Sequence, residues 1–307
     1  MRISEKSRIN TTATYMERIN RAIDHIVTHL EEPVRLNDLA RVARISPFHF
    51  HRVFQALVGE TPADFVKRLR LDKALGLMNR KPVMSLTSIA LRCGFSSSSD
   101  FTRSFKQRFG VAPSAFDIGG WRTARGNELN RIVEQDSPNG QLKRLPSRLN
   151  PEKFKVRIRD LSARTVAYIR VSRPYQSNAV VKAADRLINW AELRGYSNGQ
   201  WLGYQWENPE ITPLEDCRYH IAVEAEGFTA RGEVGQFKFP PMIVAEVEIR
   251  GGIDLEIRAL QWLYGSWLPR SGFVLDDHPC FEAWIGRPFG HGTEYFEIRL
   301  QLPIRWT

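Results

Sequence analysis

The stretch richest in chemistry is PCFEAWIG (279–286). As a strand it places Cys280, Glu282 and Trp284 on one face and Phe281, Ala283 and Ile285 on the other. A carboxylate among aromatic rings suits a cationic or amphipathic small molecule. It pairs with the charge, and the rings add cation–π attraction of about 0.5–2 kcal/mol. Tyr168, Tyr204 and Trp206 are candidate walls of the same pocket. No Ser/His/Asp or Cys/His constellation supports an enzyme. The three cysteines, Cys93, Cys217 and Cys280, are far apart and form no C-x-x-C pair, so no disulfide framework, metal site or cofactor is expected.

A second set of residues suits a polyanion. In PFHFHRVFQALV (47–58) and SSDFTRSFKQRF (98–109), phenylalanines recur four apart, as Phe50 and Phe54 and as Phe101 and Phe105. On a helix each pair shares one buried face. That leaves Phe48, His49, His51, Arg52 and Gln55 outside in the first stretch, and Ser98, Ser99, Thr102, Arg103 and Lys106 in the second. Arginine bonds a guanine edge in two places, Gln, Ser and Thr read base edges, and phenylalanine touches a thymine methyl group. Lysine and capped helix ends more often hold phosphates.

The elements that carry these residues are duplicated. Leu36, Leu39, Ala40, Ala43, Ile45 and Ser46 recur as Leu86, Ile89, Ala90, Cys93, Phe95 and Ser96, fifty residues on. After one extra residue, Phe50, Arg52, Phe54, Gly59, Pro62 and Phe65 recur as Phe101, Arg103, Phe105, Gly110, Pro113 and Phe116. Each copy has the pattern of helix, short turn and helix. Ser46-Pro47 starts one second helix, and Ser97 with Asp100 forms a capping-box arrangement at the other. Gly59 and Gly110 stand near the C-terminal ends. Residues 62–80 form a long helical pattern between the copies, and 14–33 an amphipathic helix before them. Two helix-turn-helix units in one chain fit neighbouring stretches of duplex DNA and an asymmetric site.

Charge divides along the same line. Residues 1–150 hold 25 Lys and Arg against 14 Asp and Glu, whereas 151–307 hold 19 against 20 and carry seven of the eight tryptophans. A basic first half suits double-stranded DNA as partner. The polar, turn-rich segment 123–152 has the composition of a linker. The second half repeats more weakly. Ala167, Ile169 and Val171 match Ala245, Val247 and Ile249; Ala184, Leu187, Ile188 and Ala191 match Leu260, Leu263, Tyr264 and Trp267. The strand around Tyr219, Ile221 and Val223 matches that around Phe296, Ile298 and Leu300. The expected fold is all-α with two helix-turn-helix motifs in the first half. The second is α+β, duplicated strand-helix-strand units forming an antiparallel sheet with two helices on one face.

ALRCGFSSSSDFTRSFKQRFGVAPSAF (90–116) resembles the second motif of AraC/XylS-family transcription regulators, and residues 14–122 resemble their whole DNA-binding domain. The resemblance implies seven helices, with the two recognition helices in successive major-groove segments. It puts base contacts at Phe48, His51 and Arg52, then at Ser98, Ser99, Thr102 and Arg103. IRDLSARTVAYIRVSRPY and FVLDDHPCFEAWIG resemble the GyrI-like small-molecule-binding domain, assigned to residues 153–307. In that family the position of Glu282 holds cationic, often drug-like, effectors. The loop GRPFGHGTEY (286–295) and the Trp-rich QWLGYQWENPE (200–210) depart from the family pattern. The resemblance further implies RNA polymerase as a partner and a regulator rather than an enzyme; the alternative, from GyrI-like relatives that resemble hydrolases of reactive small molecules, has Glu282 as acid or base beside a tyrosine such as Tyr168. With no signal-peptide pattern and no run of about 18 apolar residues, a cytoplasmic protein without membrane contact is expected.

Overall fold

A computed structural model describes residues 5–78, 84–136 and 150–306, with side chains for 14–78, 84–132 and 150–306. The chain divides into two compact units. Unit 1 comprises the chain up to Arg125 together with Glu207–Thr212 and Ala230–Gly235; unit 2 comprises Gly126–Trp206, Pro213–Thr229 and the remainder from Gln236.

Unit 1 is helical. Its helices are α1 (Glu5–Thr28), α2 (Leu36–Ala43), α3 (Pro47–Val58), α4 (Pro62–Met78), α5 (Leu86–Arg92), α6 (Ser98–Phe109) and the part of α7 (Ile118–Asp136) up to Arg125. The duplication seen in the sequence is also a duplication of backbone geometry. Ile45 N–H donates to Ala40 O and Phe95 N–H donates to Ala90 O, each at 3.0 Å, so both turns close the preceding helix with the same wide hydrogen bond. The left-handed residue in these turns is Arg44 in the first copy and Gly94 in the second. Gly94 is obligatory, because a Cβ there would press on the carbonyls of Leu30 and Glu31.

Each copy has its own core. In the first, Phe50 and Phe54 pack with Ile19, Ile26, Leu39, Ala43 and Phe65. In the second, Phe101 and Phe105 pack with Leu75, Ile89, Cys93 and Phe95. Helix α4 serves both, giving Phe65, Val66 and Leu69 to one and Leu71, Ala74 and Leu75 to the other. Being buried on two sides, it shows no clean apolar stripe in sequence. Its buried Arg68 is balanced by Glu60 at 2.9 Å and Asp72 at 3.5 Å. The last two residues of the expected 62–80 helix lie outside the described residues.

Two features of unit 1 depart from expectation. Residues 123–136, expected to be linker, continue α7, whose Arg125 lies over the Trp121 ring at 5.2 Å. Good helix formers such as Ala124, Arg125, Glu128 and Leu129 outweigh Gly126 and Asn127 there. The rest of that linker, 137–149, lies outside the described residues. Second, Ile211 belongs to the second core and is 4% exposed. Its carbonyl accepts a hydrogen bond from Trp121 Nε1 at 2.7 Å, and Glu210 pairs with Arg122 at 2.6 Å.

Unit 2 is an antiparallel sheet with two helices, α8 (Ala179–Glu192) and α9 (Ile253–Trp262). The strands are β1 (Arg157–Leu161), β2 (Arg164–Ser172), β3 (Trp201–Gln205), β4 (Arg218–Glu224), β5 (Val234–Phe239), β6 (Met242–Gly251), β7 (Phe273–Leu275), β8 (Phe281–Trp284) and β9 (Phe296–Trp306). Their order is β1-β6-β9-β8-β3-β4-β2-β5, with β7 also on β9. The inner six make two mirrored triplets, β6-β9-β8 and β3-β4-β2, that meet at β3 and β8. The weak sequence repeat is thus a pseudo-twofold in the sheet, and its seam pairs Gly203 with Glu282. The expected second helix is shorter than its pattern: α9 ends at Trp262, and Leu263–Trp267 forms a wider π-type turn that leaves Tyr264 exposed.

Ile211→Ala should lower the stability of unit 1 by about 2–4 kcal/mol, as for other large-to-small core changes. A urea titration followed by helical circular dichroism measures this; an unchanged midpoint would put Ile211 outside the core.

Candidate functional site

On α3 and α6 the buried phenylalanines define the opposite, accessible side. Phe50, Phe54, Phe101 and Phe105 are completely enclosed. Phe48, His49, Arg52, Gln55, Ser99, Arg103 and Lys106 are exposed, and His51, Ser98 and Thr102 partly so. Phe48 is 63% exposed, an unusual cost for so large an apolar ring. The Arg52 guanidinium lies over it, 4.6 Å from the ring centroid. Both groups therefore point outward together from the first turn and a half of α3.

At the start of α6 the Ser97 hydroxyl accepts the Asp100 N–H at 3.1 Å, half of the expected capping box. The other half differs. Asp100 accepts from the Ser96 hydroxyl and from Arg103 Nη2, each at 3.1 Å, because its side chain is too short for the reach usual with glutamate. An exposed pair of this kind is worth about 0.2–1 kcal/mol, so Arg103 is oriented by Asp100 but easily released to a better partner. Before α3 the Ser46 side chain makes no capping bond; Pro47 at the first helical position does the work of starting the helix.

Unit 2 holds a second site at the seam of its sheet. Glu282 on β8 stands directly opposite Gly203 on β3. The Tyr219 hydroxyl on β4 donates to Glu282 Oε2. Glu256, from α9, is 6% exposed and hydrogen-bonds to the Glu282 carboxyl. Trp284, on the same face of β8, is 6% exposed. Gly203 makes this arrangement fit, since a Cβ there would overlap the Tyr219 hydroxyl and crowd Glu282 Oε2. Tyr175 stands nearby, its hydroxyl donating to Gln205 Oε1 at 3.2 Å.

Burial dominates the electrostatics of this cluster. It raises Glu282 to about 7, although hydrogen bonds from Tyr219 and Glu256 hold it down. Burial, followed by the charge of Glu282, raises Glu256 well above the carboxylate range. Tyr219 and the Cys280 thiol are also raised, first by burial and then by Glu282. Tyr175 is raised chiefly by burial.

Of the five expected ligand residues, Glu282 and Trp284 are brought together, but Tyr168, Tyr204 and Trp206 do not join them. Tyr204 pairs across the sheet with Phe281 and His220, which face away from Glu282. Tyr168 pairs with Ala222 on that same opposite side. Both tyrosines are enclosed in a separate aromatic core with Phe239 and Phe281, and Trp206 packs at its edge. The correction follows from alternation: a register in which Gly203 meets Glu282 sends Tyr204 to the other face. Tyr219 and Glu256 take the places expected of those walls. Glu256 had a legible signal, for it lies at i, i+3 and i+7 with Ala259 and Leu263, on the buried side of an amphipathic helix.

Among the described residues no group of three or more His, Cys, Asp or Glu could hold a metal ion, and no helix is long and apolar enough to cross a membrane.

Paired helix-turn-helix units are thus followed in the chain by a seamed α+β sheet that holds a buried carboxyl. Residues 39–117 match the family described as a helix-turn-helix domain, and 154–305 match the GyrI-like small molecule binding domain. The chain is 33% identical over 104 residues to a probable transcription factor, PqrA, of Proteus vulgaris, covering 33% of this chain and 84% of that one. It is 33% identical over 107 residues to the probable transcriptional regulator LumQ of Photobacterium leiognathi, covering 34% of this chain and 42% of that protein. A DNA gyrase inhibitor of Edwardsiella piscicida is 26% identical over 159 residues, covering 50% of this chain and 99% of the inhibitor. The chain belongs to the AraC-type helix-turn-helix regulators, with a GyrI-like domain following the DNA-binding one. The match spans well under half the length of LumQ and of other longer regulators it resembles.

Gly203→Ala should break the Tyr219–Glu282 hydrogen bond and cost about 1–3 kcal/mol through overpacking. Thermal unfolding measures the cost; a variant as stable as the parent would show that the seam has room to spare.

Proposed function

We propose that the protein is a sequence-specific transcriptional regulator that binds duplex DNA through α3 and α6 and responds to a small cationic or amphipathic molecule held at Glu282. The observation that carries the reading is the matched pair of helices. Each buries two phenylalanines completely and turns an arginine, Arg52 or Arg103, to solvent from equivalent positions. Arginine at such a place suits bidentate contact with guanine. Phe48, His51 and Arg52 on one helix, and Ser98, Ser99, Thr102 and Arg103 on the other, are the assigned base-reading residues. His49, Gln55 and Lys106 flank them as further base or phosphate contacts. The two faces differ in chemistry, so the operator is asymmetric and is bound by a single chain. RNA polymerase, by family, is the partner through which binding alters transcription, and the cytoplasm is where these partners meet.

The dry carboxyl at the sheet seam supports the effector half of the reading. Among the described residues no lysine or arginine shifts the Glu282 carboxyl, and Trp284 stands on the same face of its strand. One observation favours a second reading, hydrolysis of a reactive small molecule: the contact of Tyr219 with a carboxyl that titrates near neutrality resembles an acid–base pair. Turnover of candidate electrophiles that disappears in Glu282→Gln would favour it.

Selection of bound fragments from random duplexes tests the main proposal. It should yield one asymmetric site rather than a palindrome. On that site Arg103→Ala should weaken binding by about 1–3 kcal/mol and relax base choice. Equal loss on random DNA would give Arg103 a phosphate-holding role instead.

A further inference from the structure

Leu69 packs into the first core of unit 1 and Leu71 into the second. Arg70, between them, sits where α4 passes from one helix-turn-helix copy to the other. Its Nε donates to Leu30 O at 3.0 Å and its Nη2 to Glu32 O at 2.6 Å, both in the turn that ends α1. Carbonyls at a helix C-terminus have no partner within the helix, and the partial negative charge there favours a cation. Further along α4, Lys73 Nζ pairs with the Glu31 carboxylate in that same turn. The second copy meets the turn from its other side. A Cβ on Gly94 would stand 2.5 Å from Leu30 O, 2.9 Å from Glu31 O and 3.0 Å from Arg70 Nε. The Gly94 backbone therefore rests against the carbonyls and the guanidinium together. Gly94 lies between Cys93 and Phe95 of the second core, whereas Leu30 packs against the first. Burial lowers the Arg70 guanidinium below its ordinary value, and the charge of Asp100, in the first turn of α6, opposes that. The end of α1, the middle of α4 and the turn before α6 thus close on one side chain.

We propose that Arg70 is a positioning residue: by tying the end of α1 to the Gly94 turn, it holds α3 and α6 at one separation and sets the half-site spacing that the protein accepts. The inference rests on the reading of α3 and α6 as paired base readers and adds what fixes their register. Helix α4 by itself joins the two copies along a single line, about which each could rock. The Arg70 contacts lie off that line and resist rocking. Over a half-site spacing of roughly 34 Å, a rock of about 10° displaces the far helix by about 6 Å, nearly two base-pair steps. Two hydrogen bonds held at normal length permit only a small part of that movement.

The experiment measures binding of the full chain to the site recovered by fragment selection and to two derivatives, one base pair longer and one shorter between the half-sites. The parent should bind each derivative at least about tenfold more weakly, because the base contacts of one helix are lost. Arg70→Met keeps an unbranched stem and removes both donors. It should lower the ratio between the selected site and its derivatives by about threefold or more, since the two helices are no longer pre-organised. Arg70→Lys keeps the charge but lacks the planar fork that reaches both carbonyls, and should lower the ratio in the same direction. Circular dichroism checks that each variant remains helical, and the lysine variant covers the case in which the methionine variant does not fold. An unchanged ratio in a folded variant, even with weaker binding to all three duplexes, overturns the proposal and leaves Arg70 a stabilising contact only. A parent that binds all three spacings alike rejects the paired-reader reading itself, and the proposal with it.

Discussion

Two phenylalanines on α3 and two on α6 fix the face that each helix turns to solvent. Burying such a ring is worth about 1.5–3 kcal/mol, so a pair four residues apart locks the helix about its own axis. Rotating α3 or α6 by one residue, some 100°, would bring one of those rings into water. The placement of Arg52 and Arg103 is thus a by-product of hydrophobic packing rather than of any polar contact. The turn geometry repeats for the same reason. Ala40 and Ala90 must accept the returning N–H of an apolar residue, Ile45 or Phe95, that also belongs to its core.

Unit 2 uses burial to the opposite end. There the groups at the seam are polar, and enclosure by the sheet and α9 raises Glu282 and Glu256 and keeps Tyr219 and Cys280 protonated. The pseudo-twofold explains why the cluster lies where it does. Where two copies of one motif meet, the seam residues need not match across the axis. Gly203 on one side leaves room for Glu282 on the other. The neighbouring face shows what the same sheet does without that asymmetry: Tyr204 stacks on a neutral His220 at 4.7 Å in an ordinary aromatic core.

Much of this was legible in the residues, and the exceptions have physical causes. Both helix-turn-helix copies show in the spacing of Ala, Phe, Gly and Pro, because each of those positions is sterically constrained. The outer faces of α3 and α6 follow at once from helical period. The sheet is less transparent. Period two says that Tyr204 and Gly203 face opposite ways, but only the pairing of β3 with β8 says which of them meets Glu282, and pairing is a long-range property. Glu256 stands on a buried helical stripe, where its carboxyl could have been suspected. The helix through 123–136 is hidden in the sequence because its turn-forming residues are compatible with helix when flanked by strong helix formers.

The participation of Glu207–Thr212 in unit 1 has an evolutionary corollary. Regulators of this kind are often pictured as interchangeable cassettes, joined by recombination at a boundary between sensor and reader. Here the boundary is not a single point in the sequence, because Ile211, part of the second helical core of unit 1, lies well inside the residues matched to the GyrI-like domain. Grafting a foreign domain after α7 would leave Trp121 without its carbonyl partner and the second core without Ile211. A successful graft would have to bring its own plug.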